Sequence, residues 1–394
     1  MKDSPMLRST RVVIVLGLLV AACSDGSGRV ASTPTKAAPT TVVGTAPTTA
    51  APTTTAAQMI VTTTTTRDTP SQFSPAWVKH EPGEQCQCSD GTGYSYWTRD
   101  ASPTKVLLYL QGGGACFSAD TCSFTDGTFS VHADDRDDPA RASGIFQLNN
   151  PRNPFADWSM IFMPYCTGDV HIGNSIHEYE PGLTIHHNGF HNAENGLHYL
   201  VEHFPDADEI VVAGSSAGGI AAPLFAGLAA DAFPNAVISS ISDGSGSYPD
   251  DPDTTVALND LWGTMSVVPD WEVNAGIKSA DWSIPRLFVQ AGLHAPRIRF
   301  ARFDYARDAT QAGFTKAAGI GSDDRLARVD QNEIDIEAAG VDLHTYVAPG
   351  ALHTVLRIKM TYQLEVEGTL FIDWLTDFVA GEDVPDVHCT ECGP

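Results

Sequence analysis

The sequence predicts an α/β fold: a mostly parallel sheet with helices on both faces. Three observations predict it. Short apolar runs bounded by Gly, Pro and Asp alternate with longer helical stretches, which is the pattern of a parallel sheet covered on both sides. The run Glu209–Ala213 leads into Gly214-Ser215-Ser216-Ala217-Gly218-Gly219, a Gly-x-Ser-x-Gly at the exit of a strand with helix-forming residues behind it. A second apolar run, Val106–Leu110, ends in Gln111-Gly112-Gly113-Gly114-Ala115-Cys116.

In chain order, the predicted strands are Tyr94–Arg99, Lys105–Gln111, Met160–Pro164, Glu209–Ala213, Ala236–Ser240, Ile298–Tyr305 and Leu343–Ala348. Each is a short run rich in β-branched, aromatic or Leu residues between turn-forming residues. Predicted helices are Asn188–His203, Ser216–Ala230, Pro285–His294 and Glu333–Ala339. A further helix is expected over Gln363–Val379, where Leu364, Leu370, Phe371, Trp374, Leu375 and Phe378 form an apolar stripe.

The two glycine motifs carry the chemistry. A serine on a tight strand-to-helix turn is a nucleophile elbow, the hallmark of an α/β-hydrolase-like sheet. Ser216 would sit at a helix N-terminus, where free N–H groups favour developing negative charge. The N–H of Ala217, next in sequence, supplies one donor to a tetrahedral oxyanion, and the glycine loop after Leu110 supplies another. In such a fold the acid and base follow later strands in the order Ser, acid, His. His353 lies in the loop after Leu343–Ala348 and suits the base, whereas His344 lies inside that strand. Asp308 follows Ile298–Tyr305 and suits the acid, with Asp304 and Asp243 as competitors.

Around this domain the chain has an export pattern. Residues 1–22 read as a signal peptide: Lys2, Arg8 and Arg11, then apolar Val12–Val20, then Ala21-Ala22, too short to span a bilayer. Cys23 after Val20-Ala21-Ala22 resembles a bacterial lipobox, which implies lipidation of its thiol and a membrane anchor. Residues 23–72 are rich in Thr, Ala and Pro, cannot bury a core, and read as a disordered tether. Residues 73–394 form the expected catalytic domain. The net charge of −25 argues against nucleic-acid binding and disfavours polyanionic substrates. A Cys116–Cys122 bridge is expected. A further bridge is expected from Cys86 or Cys88 to Cys389 or Cys392, with Cys166 left as a thiol.

The motifs together resemble the pectin acetylesterase/Notum family. They are Cys88-Ser89-Asp90-Gly91-Thr92 with Tyr94, Tyr109-Leu110-Gln111-Gly112-Gly113-Gly114-Ala115-Cys116, Pro164-Tyr165-Cys166-Thr167-Gly168-Asp169-Val170-His171-Ile172-Gly173, the Ser216 elbow, Asp308-Ala309-Thr310-Gln311 and Ala351-Leu352-His353. The resemblance implies a serine carboxylesterase with Ser216, Asp308 and His353 as triad, and an oxyanion hole at Gly113, Gly114 and Ala217. It implies no cofactor and no metal. Family members remove acetyl groups from pectin or a fatty acyl group from a signalling protein. The family's own substrates do not carry over to this chain; the expected substrate is an acetylated glycan or a small acyl ester, acted on by a monomer. The bacterial-type leader, the missing extra cysteines of animal members and the short stretch between Asp243 and Asp281 depart from the family pattern.

Two rival readings have their own signals. His187, His191, Glu194 and His198 fall on one face of the predicted helix, a spacing that a zinc hydrolase would use, although Asn188 stands where its glutamate would be. His171 and His177 are candidates for lining a substrate cleft. The other alternative is a surface lipoprotein that binds a ligand without catalysis.

Overall fold

The computed structural model describes residues 76–321 and 324–393. The leader, Cys23 and the tether lie outside them. The described strands are β1 (Val78–His80), β2 (Tyr96–Arg99), β3 (Lys105–Leu110), β4 (Ser159–Met163), β5 (Ser175–Glu180), β6 (Leu183–His187), β7 (Glu209–Ser215), β8 (Val237–Asp243), β9 (Arg299–Tyr305), β10 (Leu343–Ala348), β11 (Glu365–Val366), β12 (Thr369–Leu370) and β13 (Val387–His388). The helices are α1 (Gly189–His203), α2 (Ala217–Ala232), α3 (Pro252–Trp262), α4 (Arg286–His294), α5 (Ala309–Ala317), α6 (Arg325–Ala338) and α7 (Phe371–Val379).

Nine strands form one sheet in the order β1-β2-β4-β3-β7-β8-β9-β10-β13. From β4 to β13 every pairing is parallel, and β1 and β2 add an antiparallel edge. Alternation along β3 sorts its side chains to opposite faces. Val106, Leu108 and Leu110 join the core under α1, α2 and α4. Leu107 and Tyr109 join the core under α7. Both faces of the central strands are therefore buried, and their sequences read as continuous apolar runs.

The register carries the site. Leu110 pairs with Gly214, Ser215 with Asp243, Asp243 with Phe303, and Tyr305 with Ala348. The C-terminal ends of β3, β7, β8, β9 and β10 thus lie side by side. Open α/β sheets bind ligands at that edge.

Two expected elements differ in extent. The helix expected over Gln363–Val379 begins only at Phe371. Ahead of it, β11 and β12 pair through Glu367 and Gly368, whose φ angles of 48° and 83° make the two-residue turn of a hairpin. The Glu333–Ala339 helix is the end of the longer α6, capped by the Asp324 side chain. Helix α3 was absent from the expected elements, although Asp251 caps it, Pro252 starts it and Gly263 ends it in the left-handed conformation.

The disulfides correct one expectation. Cys116–Cys122 forms as expected, but Cys88 bridges Cys166 and Cys389 bridges Cys392. The buried thiol is Cys86, not Cys166. Spacing alone carries no signal for the Cys88–Cys166 pair, which closes 78 positions of sequence.

Candidate active site

Ser216 stands between β7 and α2 with φ 56° and ψ −119°. A non-glycine residue with positive φ is strained, and such strain concentrates at functional sites. The turn is tight: a Cβ on Gly214 would collide with the Gly218 backbone, and one on Gly218 with the Leu110 carbonyl. The backbone N–H of Ser216 donates to the carbonyl of Asp243 at 2.7 Å, tying the elbow to the end of β8. Ala217 opens the helix, so its N–H has no intrahelical acceptor.

The glycine loop lies against this elbow. A Cβ on Gly112 would sit 2.5 Å from the Ser215 carbonyl and 2.8 Å from Ser216 Cβ, so only glycine permits the approach. Gly112, Gly113 and Gly114 line one open cavity together with Ser216 and His353.

His353 follows β10 and Asp308 follows β9. His353 Nδ1 meets Asp308 Oδ2 at 2.6 Å. Asp308, 1% exposed, caps α5: its Oδ1 accepts from the Thr310 and Gln311 N–H groups at 2.8 and 2.9 Å. Gln311 Nε2 donates to Asp308 Oδ2 and to Asp304 Oδ1, both at 3.0 Å. With its carboxylate fixed on four sides, Asp308 selects the Nδ1–H tautomer of His353. His353 Nε2 is then the proton acceptor, and it is buried without a hydrogen-bond partner. Burial pulls the His353 pKa down, but the Asp308 hydrogen bond and charge, with Asp243 and Asp304 behind them, leave it above its ordinary value.

The two competing carboxylates have other work. Asp304 lies beside Arg302, an ion pair at 3.1 Å that is not aligned as a hydrogen bond, and accepts from the Gly246 N–H. Asp243 accepts from Ser215 Oγ at 2.5 Å and from the Val355 and Leu356 N–H groups at 2.9 and 3.0 Å. It therefore joins the elbow to the His353 loop, and burial pushes its pKa up to about 6. This hub was not foreseen in that role.

A second, largely apolar cavity of about 70 Å³ opens on the same serine. Phe117, Ile172, Ile220, Leu258, Trp262 and Phe314 line it, beside Gly114, Ser216 and Ala217. The polar cavity on the other side carries Arg141 and Arg357, two cations in a strongly acidic chain.

The histidine face expected on α1 forms only in part: His191, Glu194 and His198 line one cavity, without His187. His187 belongs to β6, where its ring is held by the Thr167 carbonyl and the Tyr179 hydroxyl. His191 and His198 are on α1, and His191 pairs with Glu194 at 3.3 Å. Strand pairing of β5 with β6 ends the helix at Gly189 and takes His187 away from them. His171 is buried and lines neither cavity. Its neighbours Val170 and Ile172 do line the apolar one, and His177 packs on Tyr179 away from both.

The model of the family described as Pectinacetylesterase matches residues 67–270. The chain belongs to the pectinacetylesterase family. Palmitoleoyl-protein carboxylesterase NOTUM of Schmidtea mediterranea is 32% identical over 142 residues, covering 34% of this chain and 26% of that protein. Pectin acetylesterase 5 of Arabidopsis thaliana is 27% identical over 163 residues, covering 40% of this chain and 38% of that protein. The matched stretches thus span well under half of these curated relatives. The crystal structure of the Wnt deacylase Notum from Drosophila superposes with a TM-score of 0.58 at 15% identity, over 82% of this chain and 99% of that one. At that identity the likeness establishes the shared α/β-hydrolase-like fold. The family match ends before Asp308 and His353, whose placement rests on the geometry of the site.

Proposed function

We propose that this protein is a serine carboxylesterase that cleaves a short acyl ester by way of an acyl-enzyme. The observation that carries this reading is the 2.6 Å contact between His353 and Asp308 at the cavity that the strained Ser216 also lines. Ser216 Oγ attacks the ester carbonyl and gives its proton to His353 Nε2. Asp308 stabilises the imidazolium. Backbone N–H groups of Ala217 and of Gly113 or Gly114 hold the oxyanion. As the tetrahedral intermediate collapses, the C–O bond breaks and His353 protonates the leaving alcohol. Water then attacks the acyl carbon and gives a proton to His353; as the acyl–Oγ bond breaks, His353 returns that proton to Ser216 Oγ and the acid leaves. No step calls for a metal or cofactor.

The apolar lining of the cavity beside Ser216 supports an apolar acyl group there, which we take to be short, acetyl to butyryl. The alcohol would lie in the polar cavity, where Arg141 and Arg357 favour an alcohol bearing negative charge over a neutral one. This local field runs against the −25 of the whole chain. We also assign the protein to the outside of the cell, anchored through Cys23. The lipobox-like leader and three disulfide bridges support export.

The test is hydrolysis of p-nitrophenyl acetate, butyrate and octanoate by the full chain and by Ser216→Ala, each with and without a chelator. The expected result is activity that falls from butyrate to octanoate, survives chelation and is lost in Ser216→Ala. Activity retained in Ser216→Ala would overturn the reading.

A further inference from the structure

The glycine loop is held from behind by a strained turn that the catalytic residues do not include. Val170 and His171 have φ angles of 51° and 63°, two consecutive non-glycine residues in the left-handed region, one of them β-branched. Such residues are strained, so the surroundings must over-determine the turn. They do. Asp169, fully buried, accepts from Thr167 Oγ1 at 2.6 Å and from the His171 N–H at 3.3 Å through one oxygen, and from the Gly189 N–H at 2.7 Å through the other. The Tyr165 hydroxyl accepts from the Val170 N–H at 2.8 Å. The Cys88–Cys166 bridge anchors the start of the turn.

This turn grips the glycine loop at both ends. The Cys116 N–H donates to the Gly168 carbonyl at 2.8 Å. At the other end His171 Nε2 lies 2.8 Å from the Gln111 carbonyl. A carbonyl only accepts, so Nε2 carries the proton, and Nδ1 is left buried without a partner. Between these ties the Tyr165 ring, 4.8 Å from the His171 ring, fills the space a Cβ on Gly113 would need.

We propose that His171 is a positioning residue for the oxyanion hole, its Nε2–H fixing the Gln111–Gly112 peptide and so the aim of the following N–H groups at the tetrahedral oxygen. The proposal rests on the serine-esterase reading above. Burial keeps His171 neutral, with its pKa down to about 4, so the donor persists across the working pH range. The same turn puts Val170 and Ile172 into the wall of the apolar cavity, so loop aim and acyl fit share one support.

Three substitutions separate positioning from packing. His171→Phe keeps a ring against Tyr165 but has no donor. His171→Leu has neither, and His171→Gln has a donor without the ring. Wild type and Ser216→Ala are assayed first on p-nitrophenyl acetate. If Ser216→Ala stays active, the esterase reading fails and the proposal falls with it. With that reading intact, His171→Phe should lower kcat on the order of 10²-fold with little change in KM, because the lost alignment matters only in the transition state. Binding of a boronic acid transition-state analogue should weaken in parallel. His171→Gln should recover kcat to within about tenfold of wild type. Melting midpoints identify variants that fold; if Phe does not fold, Leu takes its place in the comparison. Equal kcat in folded wild type and His171→Phe would overturn the proposal. So would equal losses in Phe and Gln, because a restored donor would then recover nothing.

Discussion

Replacing Asp308 with Asn tests the catalytic geometry most sharply among single substitutions. The carboxylate accepts four hydrogen bonds: two from backbone N–H groups at the start of α5, one from Gln311 and one from His353. An asparagine keeps the two backbone bonds through its oxygen. Its NH₂ then faces two donors, the Gln311 amide and His353 Nδ1–H. The relief available to His353 is to move its proton to Nε2, which leaves no acceptor for the Ser216 proton. One charged hydrogen bond contributes about 1.5–3 kcal/mol. The wrong tautomer costs more: a loss near 10⁴-fold in kcat corresponds to about 5.5 kcal/mol of barrier. Stability should fall far less, because the helix cap survives. The assay is kcat for p-nitrophenyl acetate on protein shown to be folded by circular dichroism. A loss under about tenfold would refute the tautomer reasoning, as would a larger loss from Asp304→Asn or Asp243→Asn on equally folded protein.

The remaining predictions use the same structure. The base must be unprotonated, and His353 holds its proton above the ordinary histidine value. kcat/KM should therefore fall as pH drops through a midpoint above about 6.5, and an acid limb centred below that value would contradict the Asp308 pairing. Ile220→Trp fills the apolar cavity at its inner wall. It should cut butyrate hydrolysis about tenfold more than acetate hydrolysis, the scale of one or two methylenes, and an unchanged ratio would place the acyl group elsewhere. Replacing Cys88 and Cys166 by Ser opens a loop of 78 positions. Chain entropy puts the loss near 4.5 kcal/mol in urea unfolding, and a loss below about 1 kcal/mol would mean the bridge adds little.

Most of the sheet was legible because its strands are buried on both faces, and continuous apolar runs such as Val106–Leu110 and Ile210–Ala213 say so directly. The elbow was legible from its glycines. The Asp308 and His353 positions followed from strand order, although the sequence left Asp304 and Asp243 open; only the fixed partners of each carboxylate separate them. Helix α5 was missed because Ala-Thr-Gln-Ala-Gly-Phe has little apolar period, and its cap is the candidate acid itself. The short helix after Gly368 was overextended because Leu364 and Leu370 continue its stripe while facing the core from a hairpin. The hold of His171 on Gln111 spans 60 positions and the Cys88–Cys166 bridge spans 78, and contacts at that range leave no periodic trace in sequence.

The most direct test of the central claim is covalent labelling of the nucleophile. The full chain is treated with a fluorophosphonate, and the adduct is located by peptide mass spectrometry beside the loss of p-nitrophenyl acetate hydrolysis. One adduct per chain on Ser216, formed in step with inactivation and absent in Ser216→Ala, is the predicted result. Inactivation with the label on another residue, or hydrolysis that persists after Ser216 is fully labelled, would contradict the account.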